Sequence, residues 1–295
     1  MTRAVCLLAI WLVAGCSKQD AAPVAASPEP TPTPPKKLLV LATFAPMYCF
    51  TKNVAGDLAD VEMIVPPDVR ASAFKPSPEQ VQRILQADVV IENGFGFEGW
   101  MDQIEARGLR PGEERVLAAR GTGPGIPGLP GDPDSPPSDA PFDPTQPPDP
   151  HVWLDPVMAI KEVQNIRDAL MARDPAHADD YLANENHYEA ALRDLDDQIG
   201  QMTVDIPKRR LDCEDRAFVY FLSRYQFTVV AVTGPTMDVL GVDGLVAEAG
   251  AYSDEHNGLN SRIILNPMES GPASTDFYEQ ATLANVDALR KGLLR

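Results

Sequence analysis

Lys37-Leu38-Leu39-Val40-Leu41-Ala42-Thr43-Phe44-Ala45-Pro46 is the stretch on which the fold turns. Leucines and a β-branched residue run through it without a helical period, so it reads as a strand. Phe44-Ala45-Pro46 ends the run, and Met47 to Ala55 follows as a helix closed by Gly56. The unit is strand, tight turn, helix. It recurs at once: Val61 to Val65 is a second strand, stopped by Pro66-Pro67. Ser77 then caps a helix with Pro78 at its first position, Gln80 completing a capping box, and Val81, Ile84 and Leu85 as the buried stripe. Asp88 to Glu92 is a third strand and Phe97 to Arg107 a third helix. Such alternation predicts a parallel sheet with helices on both faces.

Farther along, Gly121 to Pro150 changes to Pro, Gly, Asp and Ser with almost no apolar period, which marks a long surface loop. It ends at His151. Asp155-Pro156 is an N-cap and first-turn proline for a helix with Ile160, Val163, Ile166 and Leu170 on one face, halted at Asp174-Pro175. A longer helix from Ala176 to about Val204 would span roughly 43 Å at 1.5 Å per residue, enough for a strut between two lobes. Beyond it, Ala217 to Arg224 reads as a helix, Thr228 to Thr233 and Arg262 to Leu265 as strands, and Phe277 to Leu294 as the closing helix.

The first residues carry a different signal. Arg3, the apolar run Cys6 to Val13, and Val13-Ala14-Gly15-Cys16 together read as an export signal over residues 1–15, ending in a lipobox. The apolar run is too short to span a bilayer. Cys16 is therefore expected to carry the lipid, with the Pro-, Ala- and Ser-rich residues 16–36 as a tether to the membrane. A formal charge of −18 argues against a nucleic-acid partner, which demands basic surface. Of the four cysteines, Cys49 and Cys213 remain free after export and lipidation, and an oxidising compartment permits one disulfide between them.

In order and spacing, the landmarks resemble the zinc- and manganese-type solute-binding lipoproteins of ABC importers. They are Phe44-Ala45-Pro46, Val65-Pro66-Pro67, Pro76-Ser77-Pro78, Asn93-Gly94-Phe95-Gly96-Phe97-Glu98 with Trp100, His151-Val152-Trp153-Leu154-Asp155-Pro156, Ala217-Phe218, Tyr220-Phe221, Arg224-Tyr225, and Tyr278 with Asn285. The resemblance implies an α/β protein of two parallel-sheet lobes joined by a long rigid helix, with a cleft between them. In residue terms, a first lobe covers 37–156 with the acidic loop 121–150, a helical connector 157–206, and a second lobe 207–295. It also implies a Zn2+ or Mn2+ cargo and delivery to an ABC permease in the membrane, from the periplasmic side of the cell envelope.

The family's ligands are three histidines and an acid, and the flanking motifs align them with Ser72, His151, Asp215 and Asn266. His151 is the one histidine retained. Asp215 offers oxygen, Asn266 a neutral carbonyl, and Ser72 is a poor donor for either metal. The stretch from Pro235 to Asn266 is also shorter than the family's by about one strand-helix unit. Cysteine thiolates, from Cys49 and Cys213, are an alternative source of the missing donors.

Other signals weigh less. His177, His187 and His256 have no motif around them and read as surface residues. Asp132, Asp134, Asp139, Asp143 and Asp149 are separated by prolines that break calcium-loop spacing. Gly94 to Gly99 has the form G-x-G-x-x-G but stands after the third strand, with no acidic partner downstream for a ribose. No nucleophile with its base appears, so an enzyme is not expected. The alternative class is an adhesion or scaffold lipoprotein that keeps the fold without binding metal.

Overall fold

A computed structural model describes residues 37–105, 114–122, 149–213, 216–232, 244–248 and 262–294. Its strands are β1 (Leu38–Ala42), β2 (Ala59–Met63), β3 (Val89–Glu92), β4 (Glu114–Leu117), β5 (Arg210–Cys213), β6 (Thr228–Val232), β7 (Gly244–Glu248) and β8 (Arg262–Leu265). They form two four-stranded sheets, ordered β2-β1-β3-β4 and β6-β5-β7-β8. Every pairing among the described residues is parallel. The two orders are the same: in each sheet the chain steps outward once, then returns to the other side of its first strand. That reversal opens a crevice at the carboxyl ends of the strands, where open α/β sheets take their ligands.

The helices are α1 (Ala45–Ala55), α2 (Pro78–Ile84), α3 (Met101–Glu105), α4 (Pro156–Arg173), α5 (Ala178–Thr203), α6 (Val219–Arg224) and α7 (Phe277–Leu293). The capping box at α2 is present: Gln80 N donates to Ser77 Oγ at 3.3 Å and Ser77 N to Gln80 Oε1 at 2.8 Å. Asp155 caps α4 by accepting from Val157 N at 2.9 Å and Met158 N at 3.2 Å. At 26 residues α5 is about 39 Å long. Its buried stripe, Tyr181, Glu185, Tyr188, Leu192, Leu195 and Ile199, packs on α1 and α4 beside the first sheet and on α7 beside the second. Residues 37–295 thereby form one compact unit. Among the described residues no helix is long and apolar enough to cross a membrane.

Several elements differ from the sequence expectation. β4, β5 and β7 were not anticipated, because four- or five-residue segments such as Glu114-Arg115-Val116-Leu117 have no period of their own; their neighbours in the sheet make them strands. β2 begins two residues early, although Ile64 and Val65 still donate to Ala42 O and Thr43 O at 2.9 Å. α3 starts at Met101 rather than Phe97. Gly94, Phe95 and Gly96 take φ of 96°, 53° and 77°, and this left-handed run delays the helix. A side chain at Gly94 would also press on Leu117 Cβ at 3.3 Å, which accounts for glycine there. The turn ties the sheet to the loop before His151, since Asn93 Nδ2 donates to Pro150 O at 2.9 Å.

Cys49 and Cys213 are both buried, with no disulfide between them. Cys49 Sγ donates to Thr275 O at 3.1 Å and lies 3.5 Å from Tyr188 Oη. Burial pushes this thiol up to about 12, so it is held as a neutral hydrogen-bond donor in the helical layer rather than as a metal-binding thiolate. Residues 1–36, with Cys16, and Asp132 to Asp143 lie outside the described residues.

The helical layer also contains a buried acid that the fold leaves unpaired. Glu162 in α4 has no exposure, and neither of its oxygens finds a hydrogen-bond partner among the described residues. Burial first, and then the Glu98 carboxylate, push Glu162 well above the usual carboxylate range. Glu98 differs in being satisfied by Thr43 Oγ1 at 2.9 Å, Asn93 N at 2.8 Å and Gly94 N at 3.1 Å. Because the native state holds the Glu162 proton more tightly than the unfolded chain, native stability falls as pH rises above about 4.3. Glu162→Gln removes that slope. In chemical denaturation the variant should match the wild type near pH 4 and exceed it by about 1–3 kcal/mol at pH 8. A gap that does not change with pH would refute the assignment.

Candidate functional site

The site is built from segments that leave the carboxyl ends of strands in both sheets. After β2, the Pro66-Pro67 turn leads to Arg70 and a single 3-10 turn, Ala71–Ala73, that carries Ser72. After β4, the chain returns at Asp149 and enters a second 3-10 turn, His151–Leu154. After β8, Asn266 to Glu269 brings the second sheet's contribution. Arg216 follows β5.

Glu269 is the hub. Its residue is 3% exposed, and from the end of the second sheet it draws to itself groups that follow strands of the first. Arg70 Nη2 donates to Oε1 at 2.9 Å and Arg70 Nε to Oε2 at 3.4 Å. Ser72 donates to Oε2 through its backbone N–H at 3.3 Å and through its hydroxyl. His151 Nε2 stands 3.9 Å from Oε1, within ion-pair reach but longer than a hydrogen bond. The backbone joins in, as Ala71 N donates to Glu269 O at 3.1 Å. Burial alone would raise the Glu269 carboxyl, yet the nearby His151 ring and the bonds from Arg70 and Ser72 bring it down to about 2.

His151 is oriented from its other nitrogen. Nδ1 lies 2.7 Å from Asp149 Oδ1, which also accepts the His151 backbone N–H at 3.0 Å. The ring sits against Phe97 and Trp153, with centroids at 5.9 and 5.0 Å. Trp153 is in turn fixed by donating Nε1–H to Pro267 O at 2.9 Å, across to the second sheet. Burial would lower the imidazole, but Asp149 and Glu269 outweigh it and hold His151 at about 9. Asp149 has a second neighbour, Arg216 Nε, 3.8 Å from Oδ2.

Of the residues that the sequence suggests as ligands, the structure brings His151 and Ser72 together. Asp215 lies outside the described residues. Asn266 is used differently: its Oδ1 accepts from Met268 N at 2.8 Å, its N–H donates to Asn285 Oδ1 at 2.7 Å, and its carbonyl accepts from Asn285 Nδ2 at 2.8 Å. This clamp, with Met268 at φ 61°, shapes the turn that delivers Glu269. Sequence reasoning missed Glu269, although it is the first acid after the last strand.

A divalent cation can be tested against these donors. Two donors on one zinc ion, each at about 2.0–2.2 Å, lie no more than about 4.3 Å apart. The His151–Glu269 separation meets that limit. Among the described residues, however, no group of three or more His, Cys, Asp and Glu side chains gathers to hold a metal. Oxygen from Ser72 or from solvent would have to complete the shell.

Two parallel α/β sheets joined by a helical layer, with ionisable side chains from both meeting at the strand ends, define a two-lobed solute-binding protein. The chain belongs to the ZnuA family, described as zinc-uptake complex component A, periplasmic, whose model matches residues 40–241. It is 31% identical over 221 residues to the high-affinity zinc uptake system protein ZnuA of Bacillus subtilis, covering 75% of this chain and 69% of that one. It is 30% identical over 251 residues to the zinc-binding lipoprotein AdcA of Streptococcus pneumoniae, with 83% of this chain covered but only 46% of the relative. Among solved structures, the solute-binding protein FpvC of Pseudomonas aeruginosa in complex with Mn2+ superposes with a TM-score of 0.73 at 23% identity. That match covers 88% of this chain and 99% of FpvC, and it supports the fold.

The Asp149 contact can be tested without any metal. In chelator-treated protein, NMR titration of the His151 ring should show it protonated through neutral pH. Asp149→Asn should bring its titration down toward the ordinary value of about 6.5. An unchanged midpoint would mean that Asp149 does not govern the ring.

Proposed function

We propose that this protein is the substrate-binding component of a zinc/manganese-type ABC importer, and that it captures a divalent cation where the two sheets meet. The observation that carries the reading is the facing pair His151 Nε2 and Glu269 Oε1, one donor from each sheet, at 3.9 Å. Membership of the ZnuA family supports it, as do the zinc-related names of the relatives.

In this reading His151 supplies the imidazole donor, and Asp149 fixes its orientation from Nδ1, as outer carboxylates do for metal-ligating histidines. Glu269 supplies the anionic oxygen, held in place by Ser72. Asp215, next to Arg216 after β5, is proposed as a further oxygen donor. Asn266 acts through the clamp on Met268, positioning Glu269 without ligating. Capture and release need no bond-making beyond coordination, in keeping with a family that is not one of enzymes. The lipid on Cys16 would keep the protein at the membrane surface, beside the permease that accepts the cation. A scaffold that has lost solute binding is not favoured by a cleft in which buried ionisable groups still converge.

Isothermal titration of the purified full-length protein with zinc and with manganese tests the reading. One site with a Kd on the order of 1 μM or tighter is expected for at least one ion. Asp149→Asn should weaken it by about 10–100-fold, and His151→Ala or Glu269→Ala by more. Absence of binding for both ions would refute the proposal.

A further inference from the structure

We infer that Arg70 sets the cation affinity of this cleft, as a built-in countercharge that an incoming dication must displace from Glu269. The inference rests on the metal-capture reading above. Its starting point is that the oxygen facing His151, Glu269 Oε1, is the one that receives Arg70 Nη2 at 2.9 Å. The guanidinium thus takes up the charge, and part of the lone-pair capacity, of the oxygen best placed to meet a metal. Arginine suits this role because its planar fork engages both carboxylate oxygens at once, here through Nη2 and Nε.

Exposure decides which partner can leave. The Arg70 side chain is 43% exposed, whereas that of Glu269 is 4% exposed. Arg70 therefore has a path into solvent, and Glu269 does not. The carboxylate also keeps its place if Arg70 leaves, because Ser72 donates to Oε2 through both its N–H and its hydroxyl. The same arrangement stands on the other side of the imidazole. Asp149, with a side chain 11% exposed, faces Arg216, with a side chain 58% exposed, at 3.8 Å. Both carboxylates that flank His151 thus carry a solvent-accessible guanidinium.

These observations make cation capture an exchange. A dication approaching Oε1 meets Arg70 at close range, where like charges repel strongly in a partly desolvated cleft. It binds well only when the guanidinium swings out, so the observed affinity is the intrinsic affinity lowered by the hold of Arg70 on Glu269. An ion whose bonds to nitrogen and oxygen are weak does not clear that threshold. Arg70 thereby raises the demand on the incoming metal.

The test measures Zn2+ and Mn2+ affinity of the full-length protein by competition with a chromophoric chelator, for the wild type, Arg70→Gln and Arg70→Lys, with thermal midpoints of each protein with and without zinc. Arg70→Gln should bind about tenfold tighter than the wild type or more, and Arg70→Lys should fall between them. The metal-free Arg70→Gln protein should melt below the wild type, yet gain more from zinc. A purely structural arginine would not produce this opposition, because its loss would weaken folding and binding together. Equal or weaker binding by Arg70→Gln, in a wild type that does bind, would overturn the inference and leave the metal-capture reading standing. No binding by any of the three proteins would overturn both.

Discussion

A single buried carboxylate, Glu269, is what brings the two sheets to one point. At 3% exposure it cannot stay charged without partners, since removing an anion from water is costly unless hydrogen bonds and opposite charge replace the solvent. Those partners come from the other sheet: Arg70 and Ser72 after β2, and His151 after β4. The meeting of these groups and the low titration of Glu269 are therefore two expressions of one electrostatic requirement. Trp153 reinforces it with its bond to Pro267 O, and Asp155 with its ion pair to Arg224.

The repeated strand order explains why the partners can meet at all. In a parallel sheet all carboxyl ends lie on one edge, so every loop leaving that edge is available to one site. Both sheets present such an edge, and α5, packing on α1, α4 and α7, sets their spacing. The residues that do the work are short and local, and the scaffold that positions them is long and rigid.

The cleft departs from a histidine-rich metal site in a consistent direction. Ser72 stands where the family resemblance places a histidine, and it serves as a hydrogen-bond donor to Glu269. Asp149 and Glu269 are each paired with an arginine. The charge balance of the cleft is thus met largely from within the chain.

Much of the frame was legible in the sequence. Strong apolar runs and caps decide their own structure, as with Leu38–Ala42, the Ser77–Gln80 capping box and the Asp155-Pro156 helix entry, because their periods and local hydrogen bonds need no distant partner. The motif around His151 singles it out, and the structure sets its ring 3.9 Å from Glu269. The strands β4, β5 and β7 were not legible, since a four- or five-residue segment becomes a strand only when a neighbour completes its hydrogen bonds. Nor was Glu269, whose place depends on the Asn266–Asn285 clamp between β8 and α7. Thus local chemistry by itself determined the strongly patterned elements and the family to which they belong. Only the tertiary structure decided which carboxylate meets His151 and which arginines meet the acids, because those pairings join residues that are neighbours in space and remote along the chain.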